Sequence, residues 1–185
     1  MSTTKPRVTL YDKTFELMIP SERIAQCVAS VAERINHDYA DRATPPVILG
    51  VLNGSFMFAA DLASRIEFGC EVQFVKIASY EGSDSSGVVR ELIGLNGSIE
   101  GRDVIIVEDI VDTGRSIAHL MTLLEKHRVA SIAVATMFFK PKAYKEQYPI
   151  QYPAMEIGNE FIVGYGLDYN QLGRNLKDIY VIVNE

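Results

Sequence analysis

No apolar run in these 185 residues is long enough to span a bilayer, and the opening segment, MSTTKPRVTLYDK, lacks the apolar stretch of a secretory signal. Both absences point to a chain that stays where it is made, in the cytoplasm and without a membrane partner. Cysteine is scarce. Cys27 and Cys70, each with apolar residues nearby, read as reduced core residues, not a disulfide. Basic charge is in deficit: the formal net charge is -6. A protein whose main partner is nucleic acid needs a basic face for the phosphate backbone, so that partner is disfavoured. A small phosphorylated ligand needs only a local site and stays open. The three histidines, His37, His119 and His127, form no metal-ligand cluster. No Ser-His-Asp or Cys-His nucleophile pattern stands out, and the GxxxxGKS/T phosphate loop is missing.

What is present is an ordinary globular balance, 48% hydrophobic and 23% charged, and the length of a single domain, residues 1–185. Pro20-Ser21 can open a helix with Ser21 as N-cap, and Ile24, Val28, Val31 and Ile35 then recur at helical spacing. VILGVL after Pro46 is the continuous apolar run of a buried parallel strand. Asn53-Gly54-Ser55 breaks it, and a helix fits Phe56 to Ile66. Val72 to Ile77 reads as a strand. Tyr80 to Leu92, YEGSDSSGVVREL, is poor in core formers and reads as a mobile loop or a loosely held ribbon. Asn96-Gly97 is a turn signal. Strands follow at Val104 to Val107 and Ile132 to Phe139, around a helix from Ser116 to His127, with shorter strands at Phe161 to Tyr165 and Ile179 to Val183. Strands alternating with helices predict an α/β fold: a mostly parallel twisted sheet flanked by helices, its ligands bound beyond the carboxyl ends of the strands.

The segment VIIVEDIVDTGRS, Val104 to Ser116, carries the chemistry. Its strand delivers Glu108 and Asp109 to that carboxyl edge. Two adjacent carboxylates repel a bare phosphate. They suit ribose hydroxyls, which donate hydrogen bonds, or a Mg²⁺ that itself carries phosphate. Asp112-Thr113-Gly114-Arg115-Ser116 then turns into a helix. Gly114 lets the backbone curl, and the Thr113 and Ser116 hydroxyls with the free N–H groups of the helix start can surround a phosphate, to which Arg115 adds charge. The alternative, a strand end followed by an ordinary capped turn, leaves this combination unexplained. The pattern describes a pocket for a sugar phosphate.

This segment resembles the phosphoribosyl-pyrophosphate (PRPP) signature of the phosphoribosyltransferases, and further motifs from about Leu49 to the C-terminus resemble the hypoxanthine-guanine branch. The resemblance implies the type I fold of that family, with a small hood built from the chain ends. LNGSFMF, Leu52 to Phe58, alone reads as a strand-to-helix turn. By resemblance it is the loop holding pyrophosphate through backbone N–H groups at Asn53 and Gly54, with a non-proline cis peptide at Leu52-Asn53. The family often has Lys at position 53, so Asn53 removes a positive charge there. Ser79-Tyr80 and the Gly/Ser-rich stretch match a catalytic lid, which would keep water from an oxocarbenium-like transition state. Lys140, alone a candidate solvated lysine, is implied to meet the purine O6. A cation there favours 6-oxopurines over adenine.

In FIVGYGLDYN, strand aromatics such as Phe161 and Tyr165 fit ordinary core packing. The resemblance implies instead that Phe161 stacks on the base and Ile162 reads its edge through backbone groups. Asp168, counted with the purine-binding residues, would hold a Mg²⁺ through waters alongside Glu108 and Asp109. Arg174 would bind pyrophosphate, a task its planar fork suits. The implied reaction joins PRPP and a 6-oxopurine base to give a nucleoside monophosphate and pyrophosphate, with Mg²⁺ as cofactor. Asp112 is the candidate for proton transfer at purine N7, and a homodimer or homotetramer is implied as well. The rival reading is a regulator that keeps the PRPP pocket and binds nucleic acid. Acidic charge and the Lys140 and Phe161–Arg174 motifs count against it.

Overall fold

The computed structural model describes residues 5–78, 90–93, 95 and 97–183. In chain order its elements are β1 (Arg7–Leu10), β2 (Lys13–Ile19), α1 (Ser21–Tyr39), β3 (Val47–Val51), α2 (Phe56–Ala63), β4 (Glu71–Ala78), β5 (Arg90–Ile93), β6 (Asp103–Val111), α3 (Arg115–Lys126), β7 (Ser131–Phe139), β8 (Tyr152–Glu156), β9 (Ile162–Val163) and β10 (Ile179–Ile182). Six strands form one sheet in the order β5-β4-β3-β6-β7-β8. Five of them run parallel, and β5 adds an antiparallel edge. The second sheet, β1-β2-β10-β9, is the hood, and it draws strands from both ends of the chain.

Apolar runs without alternation make this sheet, because both of its faces are covered. Along β6, Ile105 and Val107 face one core with α1 and α2, while Val104 and Ile106 face another with α3. The predicted stripe of α1, Ile24, Val28, Val31 and Ile35, is buried in the first. That of α3, Ile117, Leu120, Met121 and Leu124, is buried in the second. Cys27 is buried, Cys70 half-buried, and both are free thiols. No helix among the described residues is long and apolar enough to cross a membrane.

Several boundaries differ from expectation. The cap of α1 is Pro20, and Ser21 is already helical. Its N–H donates to Asp178 Oδ1 at 2.7 Å, a carboxylate 157 positions away that does the work expected of the Ser21 hydroxyl. Strand β6 runs past Val107 through Glu108 and Asp109 to Val111, since β7 pairs with it as far as Val111 and Phe139. Of the stretch read as a mobile loop or a loosely held ribbon, the end that is described takes the second form: Arg90–Ile93 pairs antiparallel with β4. The proposed lid residues Ser79 and Tyr80 lie outside the described residues. The β1-β2 hairpin and β8 had no sequence forecast. In β8, Pro153 hides the strand signal, and it is tolerated because β8 is a sheet edge.

The Asp178–Ser21 bond ties the start of α1 to the hood. Replacing Asp178 by Ala should cost about 1 kcal/mol in urea unfolding, with Asn recovering most of it, as for other lost helix caps.

Candidate active site

Chain direction creates the site. From β3 the chain moves outward to β4, while from β6 it moves the opposite way to β7 and β8. Ligands bind where strand order reverses, and that point lies between β3 and β6. Pairing between these two stops at Gly50 and Val107. Beyond it, β6 overhangs and carries Glu108 and Asp109 into the gap.

Residues 108 and 110–117 line a cavity of about 110 Å³ around the turn between β6 and α3. The turn depends on Gly114, whose φ of 88° lies in the left-handed region that side chains disfavour. Arg115 and Ser116 open α3, whose first amides lack intrahelical partners. The Thr113, Gly114, Arg115 and Ser116 cradle read from sequence is therefore assembled around one cavity, with Arg115 exposed at its rim.

Beside it the two carboxylates are buried or nearly so. Burial first, and the adjoining Asp109 carboxylate second, push the Glu108 pKa well above the ordinary carboxylate range. Burial raises Asp109 as well, opposed by the Ile110 N–H, which donates to its Oδ1 at 2.8 Å. Such a pair resists holding two negative charges until hydroxyl donors or a cation arrive. Among the described residues no group of three or more His, Cys, Asp or Glu side chains forms a metal cage. The hard carboxylate oxygens fit a Mg²⁺ bound through one or two carboxylates plus substrate phosphate and water.

The Leu52–Ser55 loop follows β3 directly. Its Leu52-Asn53 peptide is cis, as the resemblance implies. Asn53 is exposed and Gly54 is buried. A Cβ on Gly54 would lie 1.5 Å from Asp109 Oδ2, and one on Gly166 would lie 1.9 Å from the Gly54 carbonyl oxygen. Loop, β6 carboxylate and hood thus meet at a point where only hydrogen fits. Arg174 fastens the hood side: its Nη1 donates to the Gly166 carbonyl at 2.7 Å and its Nη2 pairs with Asp168 Oδ1 at 2.5 Å. Asp168 Oδ2 accepts the Gln171 N–H at 2.7 Å. Two contacts found here had no sequence signal. One is the Tyr165 hydroxyl donating to Asp61 Oδ2 on α2 at 2.7 Å. The other is the packing of Tyr144 and Glu146 against Gly114.

Lys140 follows β7 and is buried, 8% exposed. A lone buried ammonium would be costly, and its partner is Asp112, whose Oδ2 lies 3.2 Å from Nζ. The two residues expected at the base are thereby brought together. Phe161 is 46% exposed although Ile162 and Val163 beside it are buried. Its ring touches Tyr169 edge-on (6.0 Å between centroids) and Phe15 (6.2 Å), which leaves one surface open. Ile162 sits in β9, paired with Val181.

A family model described as a phosphoribosyl transferase domain matches residues 20–170. The chain is 40% identical over 164 residues to the hypoxanthine-guanine phosphoribosyltransferase of Staphylococcus epidermidis, covering 88% of this chain and 90% of that protein. It is 36% identical over 171 residues to the hypoxanthine phosphoribosyltransferase of Escherichia coli, covering 92% and 96%. Among solved structures, a hypoxanthine phosphoribosyltransferase from Staphylococcus aureus superposes with a TM-score of 0.84 at 36% identity, over 91% of each chain.

The Gly54–Asp109 contact predicts an unusual double-mutant cycle. Gly54→Ala should destabilise the protein by about 1–3 kcal/mol through overpacking. Asp109→Ala should relieve part of that loss when combined with it, an interaction readable in paired urea titrations.

Proposed function

This chain belongs to the phosphoribosyl transferase family, and we propose that it transfers the phosphoribosyl group of PRPP to hypoxanthine or guanine, giving IMP or GMP and pyrophosphate. The observation that carries the base half of this reading is the pairing of buried Lys140 with exposed Asp112. It sets a cation suited to a 6-oxo group beside a carboxylate at the mouth of the phosphate turn.

In the proposed pocket the Thr113–Ser116 turn holds the 5′-phosphate and Glu108 and Asp109 accept the ribose hydroxyls. The backbone at Asn53 and Gly54, together with Arg174, takes the pyrophosphate. The purine stacks on Phe161, with Ile162 along its edge and its O6 on Lys140. N9 then attacks C1 of the ribose as the bond from C1 to pyrophosphate breaks, and the proton on N7 passes to the Asp112 carboxylate. Holding both reactants in one crevice supplies much of the rate by orientation. Glu108, Asp109 and Asp168 are the residues proposed to hold Mg²⁺, which when bound offsets charge on the departing pyrophosphate. Asn53 leaves the loop without the lysine common in the family, so pyrophosphate charge is met from Arg174. The likeness to relatives extends the proposal to a homodimer or homotetramer.

Assayed with PRPP and Mg²⁺ against hypoxanthine, guanine, xanthine and adenine in parallel, the protein should form nucleotide with the first two and not with adenine. Nucleotide formation with none of the four would sink the assignment. Asp112→Asn should lower turnover by about 10²-fold, a typical share for a proton-transfer group. Wild-type turnover in that variant would remove Asp112 from the chemistry. Phe161→Ala should raise KM for the base by about tenfold, as loss of a base–aromatic stack does, with PRPP affinity unchanged.

A further inference from the structure

The phosphate turn is met residue by residue by one segment outside it. The Lys140 N–H donates to the Val111 carbonyl at 2.9 Å, and Lys140 Nζ reaches Asp112 at 3.2 Å. The Lys145 N–H donates to the Thr113 carbonyl at 3.2 Å. At Gly114 the contact is a roof: an added Cβ would lie 2.5 Å from Tyr144 Cε2 and 2.7 Å from Glu146 Cγ. The ring and the glutamate stem therefore press on the Gly114 backbone itself.

Tyr144 is well fixed for such a task. Its N–H donates to the Lys140 carbonyl at 3.1 Å, closing a turn. Its ring meets Phe139 edge-on, 5.3 Å between centroids at 74°. Its hydroxyl donates to the Tyr148 carbonyl at 2.6 Å. We propose that Tyr144 is a positioning residue for the 5′-phosphate, a clamp that keeps the Asp112–Ser116 turn in its anion-binding shape without touching substrate. The physical reason is the turn itself. It points several N–H dipoles into one small cavity, and with no anion there these dipoles repel one another. A glycine at its centre offers many other conformations. A ring seated on that glycine removes them before the ligand arrives.

The proposal rests on the phosphoribosyl transfer reading for its kinetic test. If the turn held its binding shape only a tenth of the time, affinity for the phosphate group would fall about tenfold. Tyr144→Ala should thus raise KM for PRPP about tenfold while KM for hypoxanthine and kcat stay within about twofold. Tyr144→Phe, which keeps the ring, should match wild type. General loss of stability would not produce that split or its rescue by Phe. An unchanged PRPP KM in Tyr144→Ala, or equal loss in Tyr144→Phe, overturns the clamp. Should the alanine variant fail to fold, Tyr144→Leu is expected to give the same split, and its absence there is equally decisive. Hydrogen exchange of the residue 113–117 amides in the ligand-free protein provides a test independent of enzymatic activity. Faster exchange in the alanine or leucine variant but not in Tyr144→Phe supports the clamp, and unchanged exchange refutes it. A wild-type protein that makes no nucleotide would fail the enzyme reading alone.

Discussion

Strands β3 and β6 lie side by side only as far as Gly50 and Val107, and from there the two chains leave in opposite directions. A parallel sheet whose connections run outward both ways must open at one place, and the backbone ends there are free to receive a ligand. The Leu52–Ser55 loop leaves from one side of that opening, and the Glu108–Asp109 carboxylates and the Asp112–Ser116 turn leave from the other. The hood completes the junction where Gly166 rests on the Gly54 carbonyl.

Charge is divided within the crevice to match an anionic substrate with a neutral base. Glu108 and Asp109 sit together with their pKa values raised by burial, where hydroxyl donors or a cation would relieve them. The cavity at the β6–α3 turn combines the open amides of a helix start with one cation, Arg115, a local concentration of positive charge in a chain of formal charge -6. Lys140 and Arg174 are each paired within the protein: Lys140 with Asp112, and Arg174 with Asp168 and the Gly166 carbonyl.

The parts legible in the sequence were those that one local pattern determines. Apolar runs gave β3, β6 and β7, and 3.6-residue spacing gave the buried faces of α1 and α3. VEDIVDTGRS announced the phosphate turn because carboxylates, glycine and hydroxyls occur there in a single stretch. Contacts between distant segments left no such trace. Asp178 satisfies an amide 157 positions away. Tyr144 lies in PKAYKEQYP, a stretch with neither period nor motif, and only the return of the chain from β7 brings it onto Gly114. Pro153 masks the strand pattern of β8, which among the described residues pairs with β7 alone.

The hood joins the chain's first strands to its last: β2 pairs with β10, and β10 pairs with β9. The backbone hydrogen bonds and the Tyr144–Glu146 cover described for the Asp112–Ser116 turn come from residues 111–148. Phe161 instead sits on a ribbon whose support is Phe15 and Val181, near the two ends. During synthesis, then, the Asp112–Ser116 turn and the segment that covers it are made before the aromatic wall can be built. That wall waits for β10 to be made and to pair with β2, and until then the growing chain holds an open half-pocket.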